Sequence, residues 1–510
     1  MLGKRFTFGP FLLNPDNGTL LRHGEPVAVG HRGILLLAAL LERPGEVLTK
    51  AELMDAAWSG VAVEESNLSV QIALLRKALG PSPENGDWIA TLPRIGYRFV
   101  GSSTEARRTG AHPLAKPSLA VLPFANLSND HEQEFFAEGL AEEIITTLSK
   151  LSGLDVIARN SSFAYKGRAV DERQVARELG VRYLLAGSVR KSGDRIRMNA
   201  QLIDSRTGSH IWAERYDREV ADIFAVQDAV TREIAEALEV KLTESELAGL
   251  GHTGTRNVEA LDCFLRGRAM QVGPTQNLEI FKRMTGLLRQ AIDCDPNYAA
   301  AYAVLAITHV MDYQNRWTDN PDRSLAAAER FADVAIEKDP NDSYGHSAAG
   351  LVAMLNKDFE RSASEIEAAL SLSPNDALAQ NLRGNLCIYS AEPLAAIPYI
   401  KRAMRLDPAY NQGYLHFLGM TYLVAGQYET AAALFKERIL LVPETDMTRG
   451  FLSAALGHLG EVDEARRVWH ELMAINPNHS FAERIGRMPF RNQADAERIS
   501  DGLRKAGLPD

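Results

Sequence analysis

Short apolar runs separated by turn residues open the chain and predict an antiparallel sheet of about four strands over residues 5–29. The apolar spacing then becomes helical, and the predicted helices cover residues 31–42, 49–57 and 65–79. Thr49 and Glu52 have the spacing of a capping box at the start of the second helix. Two more apolar runs predict a hairpin at 88–92 and 97–100. The first hundred residues therefore have the order sheet, three helices, hairpin.

Strand-like and helix-like segments alternate between residues 117 and 248. Strands are predicted near 118–124, 154–158, 183–189, 195–202 and 210–216, and helices near 135–151, 172–179 and 223–242. Polar and apolar residues alternate strictly between Arg195 and Leu202, which is typical of a half-buried antiparallel strand. This part of the chain is therefore predicted to be an α/β domain with a mixed sheet.

The last part of the chain repeats. Prolines that follow helical stretches recur at intervals of 44, 34, 34, 35 and 34 residues: Pro296, Pro340, Pro374, Pro408, Pro443 and Pro477. Small residues recur at fixed distances before them, namely Ala291, Ala335, Ala369, Ala403, Gly350, Gly384 and Gly419. Small residues let two antiparallel helices approach closely, and the proline ends the second helix. The longer first interval predicts about ten inserted residues around 314–323.

Composition and charge narrow the class of protein. The 510 residues are 45% hydrophobic and 24% charged, which is the balance of a folded chain. The three cysteines are far apart, and no apolar run approaches the roughly 20 residues of a membrane span. We therefore expect a soluble, cytoplasmic protein without a disulfide framework, a metal site or a membrane partner. The net charge of −10 is concentrated after residue 111, so nucleic-acid contact is expected within the neutral first hundred residues.

The first hundred residues resemble a known family of DNA-binding domains. The segments LTKAELMDAAW, VEESNLSVQIALLRKALG and LPRIGYRFVG are similar to the OmpR/PhoB-type winged helix–turn–helix, in its CadC- and HilA-like variant. The resemblance implies a DNA-binding domain over residues 1–101, followed by a linker at 102–116. No receiver domain is expected before it, so a link to a phosphorelay would require a partner protein.

The third predicted helix would be the recognition helix of this domain. One stripe is predicted to face the core: Leu68, Ile72, Leu75 and Leu79. A second face is expected to read base edges through Asn67, Val70, Gln71 and Leu74, since Asn and Gln can pair with adenine and apolar groups can meet the thymine methyl. Contacts to the DNA backbone are expected from Arg76, Lys77, Arg94 and Arg98, and Tyr97 is expected to pack the wing onto the core.

The recognition helix departs from the family pattern in one respect. Response regulators of this kind carry several arginines on the recognition face, where this chain has Ser66, Ala73 and Leu74. Weak binding at a single DNA site is therefore expected. A homodimer on DNA, or binding at neighbouring sites, would raise the overall affinity.

Two further resemblances cover the rest of the chain. Residues 117–248 resemble the amino-terminal α/β domain of TolB-type proteins, which implies a fold but no defined chemistry. The phrase LGMTYLVAGQYETAAALFKERILLVP resembles a tetratricopeptide repeat, which implies an array over 256–485 and a C-terminal capping helix or tail over 486–510. Such arrays present a concave surface, and aligning the prolines places a partner-binding groove at Tyr344, Ser347, Asn381, Asn385, Tyr389 and His416.

The fold class is therefore multidomain α+β: a winged helix–turn–helix, an α/β mixed-sheet domain, then an all-α solenoid of tetratricopeptide repeats. No spacing of a phosphate-binding, serine-hydrolase or zinc-protease motif occurs, and Glu142 and Glu143 are expected to form a solvated helix face. We predict a sequence-specific transcription regulator of bacterial type, not an enzyme, without a cofactor. Its predicted partners are double-stranded DNA and a protein or peptide bound by the repeats. The alternative is a signalling adaptor or scaffold with a vestigial winged helix.

Overall fold

The computed structural model forms two compact units, Met1–Ala115 and Lys116–Asp510, which we describe separately. It describes the whole chain except residues 1–5, 15–18, 23–24, 28, 59–64, 83–85, 93–94, 101–103, 106–115, 129–133, 169–170, 220–221, 241, 244–245, 247–253, 272–276, 478–479 and 510. Among the described residues, no helix combines the length and apolar character that a membrane crossing requires.

The first unit has the predicted order of sheet, three helices and hairpin. One sheet has the strand order β10-β1-β2-β3-β4, formed by β1 (Phe6–Phe8), β2 (Phe11–Asn14), β3 (Thr19–Arg22), β4 (Glu25–Val27) and β10 (Thr104–Glu105). The helices are α1 (His31–Glu42), α2 (Lys50–Trp58) and α3 (Glu65–Leu79). A second sheet has the order β5-β9-β8, formed by β5 (Val47–Thr49), β8 (Ile89–Leu92) and β9 (Gly96–Phe99), and β6 (Pro81–Ser82) pairs with β7 (Gly86–Asp87).

Apolar side chains from both sheets and all three helices form the core of this unit. The predicted inner stripe of α3 is buried to about 1% exposure at Leu68, Ile72, Leu75 and Leu79. Phe8 packs edge-on against Trp88 and Phe99, with ring centroids 5.4 and 5.3 Å apart, which joins the first sheet to the hairpin. The predicted capping box is present, since the Thr49 amide donates to Glu52 Oε2 at 2.8 Å and the Glu52 amide donates to Thr49 Oγ1 at 3.2 Å.

The second unit begins with the predicted α/β domain. Its sheet has the order β13-β11-β14-β15-β16, with β12 beside β14. The strands are β11 (Ser118–Val121), β12 (Ala125–Asn126), β13 (Asp155–Val156), β14 (Tyr183–Ser192), β15 (Arg195–Asp204) and β16 (Ser209–Glu219). The sheet is mixed as predicted, because β11 pairs in parallel with both β13 and β14 whereas β15 is antiparallel to both of its neighbours. The helices are α4 (Glu134–Ser149), α5 (Arg159–Phe163), α6 (Glu172–Leu179) and α7 (Ile223–Ala237).

Paired helices form the rest of this unit. In the part of the chain that the structure describes, the pairs are α8 (Val258–Gln271) with α9 (Leu278–Cys294), α10 (Ala299–Asn315) with α11 (Pro321–Lys338), α12 (Ser343–Leu355) with α13 (Phe359–Leu372), α14 (Ala377–Tyr389) with α15 (Ile397–Leu406), α16 (Asn411–Val424) with α17 (Tyr428–Leu441), and α18 (Met447–Leu459) with α19 (Val462–Ile475). Two more helices follow, α20 (Phe481–Arg487) and α21 (Gln493–Lys505). This is the solenoid of repeats that the sequence predicts.

The repeated small residues and prolines have the predicted structural roles. Each of the six prolines stands two residues after the last residue of the second helix of its pair. A Cβ atom on Gly350 or Gly384 would lie 2.7 Å from Ile366 or Ile400 of the paired helix, which is too close for any side chain. Glycine at these positions therefore allows the two helices of a repeat to touch.

The ten-residue insertion lies around residues 314–323, as the proline spacing predicts. Most of it lengthens the two helices of one pair, at the end of α10 and at the start of α11. Helices α10 and α11 have 17 and 18 residues, compared with 13 and 14 in α12 and α13. Arg316 then ends α10 in the left-handed conformation, with φ of 55°. The added residues therefore extend two existing helices.

The α/β domain packs directly against the helical array. Asn375, before α14, donates through Nδ2 to the carbonyl oxygens of Leu154 at 2.7 Å and Leu151 at 3.0 Å. Arg402 on α15 makes a two-pronged contact with Asp155, with nitrogen–oxygen distances of 2.7 and 3.2 Å. These contacts explain why the two predicted domains form one compact unit.

A buried carboxylate completes this contact. Glu142 on α4 is 7% exposed and lies 2.7 Å from Arg159 Nε on α5 and 2.9 Å from Arg268 Nε on α8. Burial alone would raise the pKa of Glu142, but the two guanidinium groups hold it below its ordinary value. Glu142 is therefore buried as an anion. The expectation of a solvated face at this residue is wrong, because its charge partners come from another helix and from the array.

Replacing Glu142 tests this contact. Glu142→Ala should lower the free energy of unfolding by about 3–5 kcal/mol, because it removes the counter-charge of Arg268 and leaves Arg159 only the more distant Glu138. Urea denaturation followed by circular dichroism measures the change. Glu437→Ala is the matched control, since Glu437 is an exposed glutamate on α17 and its loss should cost under about 0.5 kcal/mol. Equal effects of the two substitutions would contradict the assigned role.

Candidate nucleic-acid interface and repeat groove

The outer face of α3 exposes most of the residues predicted to read bases. Val70 and Leu74 are 55% and 53% exposed, which is unusual for apolar side chains of this size. Asn67 and Lys77 are also exposed, and Gln71 is half-buried. The exposed residues lie three to four positions apart and therefore share one helix face, opposite the buried leucines. This face presents both amide and apolar groups to solvent.

Arg76 has a different environment from its neighbour Lys77. Its guanidinium group donates to the carbonyl oxygen of Ile89 at 3.0 and 2.6 Å and to Thr91 Oγ1 at 2.7 Å. It also lies 3.5 Å from Asp87 Oδ2. Arg76 therefore holds α3 against the hairpin, which gives it a structural role within the domain that its sequence position did not reveal.

The hairpin carries the other predicted backbone contacts. Arg98 is half-buried on β9, opposite Val47 of β5 and Ala90 of β8. Arg94 lies outside the described residues. Tyr97 is 6% exposed, and its hydroxyl lies 3.5 Å from Ser69 Oγ on α3, so it packs the wing onto the core as predicted.

The six residues predicted to form the repeat groove fall into two groups. Tyr344 and Asn381 line a cavity between the array and the α/β domain. The other four are covered and do not face an open groove: Ser347, Asn385, Tyr389 and His416 are at most 9% exposed. The prediction of an open partner groove at these four positions is therefore wrong.

Packing within the array accounts for the covered positions. Phe490, which follows α20, lies edge-on against Tyr389 with ring centroids 5.1 Å apart, and the Arg491 amide donates to the Tyr389 carbonyl at 2.8 Å. His416 contacts Phe451 at 5.2 Å between ring centroids and Thr448 at 3.2 Å. The C-terminal segment thus closes part of the surface that a free repeat array would present.

The cavity has a volume of about 540 Å³. One wall comes from α4 and α5 of the α/β domain, and the other from α8 and the segments that begin α10, α12, α14 and α16. Sequence reasoning found two of its residues, Tyr344 and Asn381, but missed the wall formed by α4. The hydrophobic spacing of α4 marks its buried face but carries no information about a partner more than a hundred residues away.

Glu143, next to Glu142, also lines this cavity and is half-buried. Burial, together with the neighbouring charge of Glu142, raises the pKa of Glu143 to about 7. No hydrogen bond or ion pair to its carboxylate occurs among the described residues. Glu143 is therefore a carboxyl group that changes charge near neutral pH inside a partly closed space.

These features define a class of protein: a winged-helix DNA-binding unit joined to an α/β domain with a helical repeat array. Residues 24–99 match the family described as "Transcriptional regulatory protein, C terminal". Residues 115–233 match the family described as "HilA/YgeH-like transcriptional regulator, second domain". The chain therefore carries an OmpR/PhoB-type winged helix, as the resemblance implied, and a second domain that matches the HilA-like family.

Three known proteins show how far the similarity extends. "Putative adenylate cyclase 3" of Rhizobium meliloti is 51% identical over 46% of this chain, and the chain spans 40% of that protein's length. "Transcriptional regulator HilA" of Salmonella typhimurium is 24% identical over 83% of this chain and 74% of its own length. The solved DNA-binding domain of Escherichia coli CadC is 28% identical, covers 20% of this chain and 97% of its own, and gives a TM-score of 0.19.

The raised pKa of Glu143 predicts that the free energy of unfolding depends on pH. Its pKa is about 7 in the folded chain and 4.5 when unperturbed, so folding stability falls as pH rises between these values and stays low above 7. Glu143→Gln cannot ionise and should therefore be more stable than the parent chain at about pH 8, by up to about 3 kcal/mol. Near pH 5 most of this difference should vanish.

Urea denaturation at both pH values measures the difference. Glu437→Gln is the matched control, because this exposed glutamate should give no difference that depends on pH. A stability gain for Glu143→Gln that is the same at both pH values would refute the assigned titration.

Proposed function

We propose that this protein is a sequence-specific DNA-binding transcription regulator. The observation that carries the proposal is the exposed face of α3, where amide and apolar side chains stand on a family-matched winged helix. The matches to two domains of transcriptional regulators, and the likeness to HilA over most of the chain, support it.

The proposal gives the predicted contact residues separate roles on DNA. Asn67 and Gln71 pair with base edges in the major groove, and Val70 and Leu74 contact thymine methyl groups. Lys77 and Arg98 contact phosphates, with Arg94 as a further contact that the sequence predicts. Arg76 supports the wing instead. The few positive charges on this face make binding to one site weak, so a homodimer on DNA is part of the proposal.

The second unit sets the activity of the regulator in this proposal. Its acidic charge makes it unsuited to DNA, and its repeat fold is one that binds partners. Four positions of the predicted groove are covered, so the proposed ligand site is the cavity beside α4, which Tyr344 and Asn381 line.

A binding role is also better supported than a catalytic one. The adjacent carboxylates Glu142 and Glu143 are the pair that general acid–base chemistry would need, but Glu142 is bound to two guanidinium groups. The name of the Rhizobium relative states a cyclase, and this makes ATP turnover the relevant activity to measure. Turnover by the purified chain that survives removal of residues 1–101 would contradict the proposal.

Base-reading and phosphate-contacting residues should respond differently to substitution. Asn67→Ala and Gln71→Ala should each change the preference for one base position by about 1–3 kcal/mol. Lys77→Ala and Arg98→Ala should weaken binding to all sequences alike and reduce the slope of log affinity against log salt by about one. Binding of the full chain to its own upstream DNA and to random DNA, at about 50 and 200 mM salt, separates the two effects.

Matched controls come from an exposed helix face of the array. Gln290→Ala and Lys282→Ala, both on α9, should leave DNA binding unchanged. Equal losses on specific and random DNA for all four interface variants would contradict the assigned roles. No binding by the full chain or by residues 1–105 would favour the adaptor, whose winged helix no longer reads DNA.

A further inference from the structure

The cavity beside α4 is rich in carboxylates. Six of them line it, compared with three basic side chains, Lys150, Arg159 and Arg268. Five of the six already have partners: Glu142, Asp339, Asp342, Asp376 and Asp407. Asp342 and Asp376, for example, accept backbone amides at the first turns of α12 and α14, as helix caps do.

The sixth carboxylate, Glu143, has no such partner among the described residues. The nearby Lys150 forms no ion pair with it in this part of the structure. Six carboxylates line the cavity against three basic side chains, so an ionised Glu143 adds to an excess of negative charge. A cation entering the cavity would supply the missing counter-charge.

A second, independent feature points to a ligand with hydrogen-bond donors. Asn381 on α14 lines the same cavity, is only 9% exposed, and its Oδ1 atom has no hydrogen-bond partner. An amide oxygen left buried without a donor costs about 1–3 kcal/mol, so a group that donates to it would be favoured. Glu143 and Asn381 therefore offer a ligand two acceptors, one a carboxylate and the other an amide oxygen.

Aromatic rings provide the remaining surface. Phe264 and Tyr298 lie 4.9 Å apart between ring centroids, and Tyr344, Tyr410, Tyr414 and Phe417 also line the cavity. The Arg268 guanidinium already lies 4.2 Å from the centroid of the Tyr344 ring. Aromatic faces attract cations, and this contact is an example within the same cavity.

We propose that this cavity binds an organic cation, an ammonium or guanidinium group whose N–H donors reach the Glu143 carboxylate and Asn381 Oδ1. Such a group can come from a small free molecule or from a Lys or Arg side chain of a peptide. An anionic ligand is disfavoured, because Arg159 and Arg268 are both engaged by Glu142 and six carboxylates line the cavity against three basic side chains. The binding step does not rest on the proposed DNA-binding function, since it can be measured without DNA.

Calorimetric titration of the full chain tests the proposal with two cationic probes. Arginine amide represents a small free cation, and the end-blocked tripeptide Ala-Arg-Ala represents a peptide side chain. The same tripeptide with citrulline in place of arginine is the neutral control, since it differs only by a urea group for the guanidinium. Inorganic phosphate and magnesium chloride test for simple anion or metal binding.

The expected result is saturable binding of at least one arginine probe, with no binding of the citrulline tripeptide or phosphate. Glu143→Gln should weaken the binding about ten-fold or more, because it removes the charge but keeps the shape. Asn381→Leu should weaken it several-fold through loss of the acceptor alone, and Glu437→Gln should have no effect. Unliganded melting temperatures equal to or above that of the parent chain would confirm that these variants fold.

The two probes also separate the two sources. Tighter binding of arginine amide indicates a small molecule, and tighter binding of the tripeptide indicates a peptide partner. Failure of both probes to bind would overturn the proposal. Equal binding by the parent chain and Glu143→Gln, or a response to magnesium chloride that matches the arginine response, would overturn it as well.

Discussion

The second unit depends on keeping the Glu142 charge neutralised away from water. An isolated carboxylate in such a place would be strongly unfavourable, so Glu142 requires both Arg159 and Arg268. One of these comes from the α/β domain and the other from the first helix of the array. Neither part could be withdrawn without leaving a buried charge unbalanced. The contacts of Asn375 and Arg402 reinforce the same junction, so the α/β domain and the array act as one folded body.

This junction changes what the repeats can do. A free array presents the inner faces of its first helices, but here the α/β domain lies along the segments that start those helices and the C-terminal segment covers Tyr389. The open space that remains is a cavity with walls from both parts. A ligand there would touch both α4 and α14. Its affinity would depend on the distance between these two helices, and its binding would stabilise the distance that fits the ligand.

Local patterns were enough to predict elements, because hydrophobic spacing and capping residues act over a few positions. The bounds of α1, α3 and α6 agree with their predictions, as do the Thr49–Glu52 capping box and the proline period. The interactions that form the cavity could not be predicted in this way. Nothing in the residues around Glu142 indicates Arg268, 126 positions later, and nothing around Arg76 indicates the Ile89 carbonyl. Such pairs are set by how the elements pack, which a single sequence does not encode locally.

Charge alone could not connect the cavity to DNA binding. Residues 112–510 carry a net charge of −11, and one bound monovalent cation would change this by only about a tenth. Screening by salt would reduce even that effect at distances beyond about 10 Å. A cation in the cavity would therefore have to act through conformation, by binding one arrangement of α4 and the array more tightly than another. Glu142 joins α4 to the array at the edge of this cavity. The relative position of α4 and the array is therefore the feature of the second unit that a bound cation would affect.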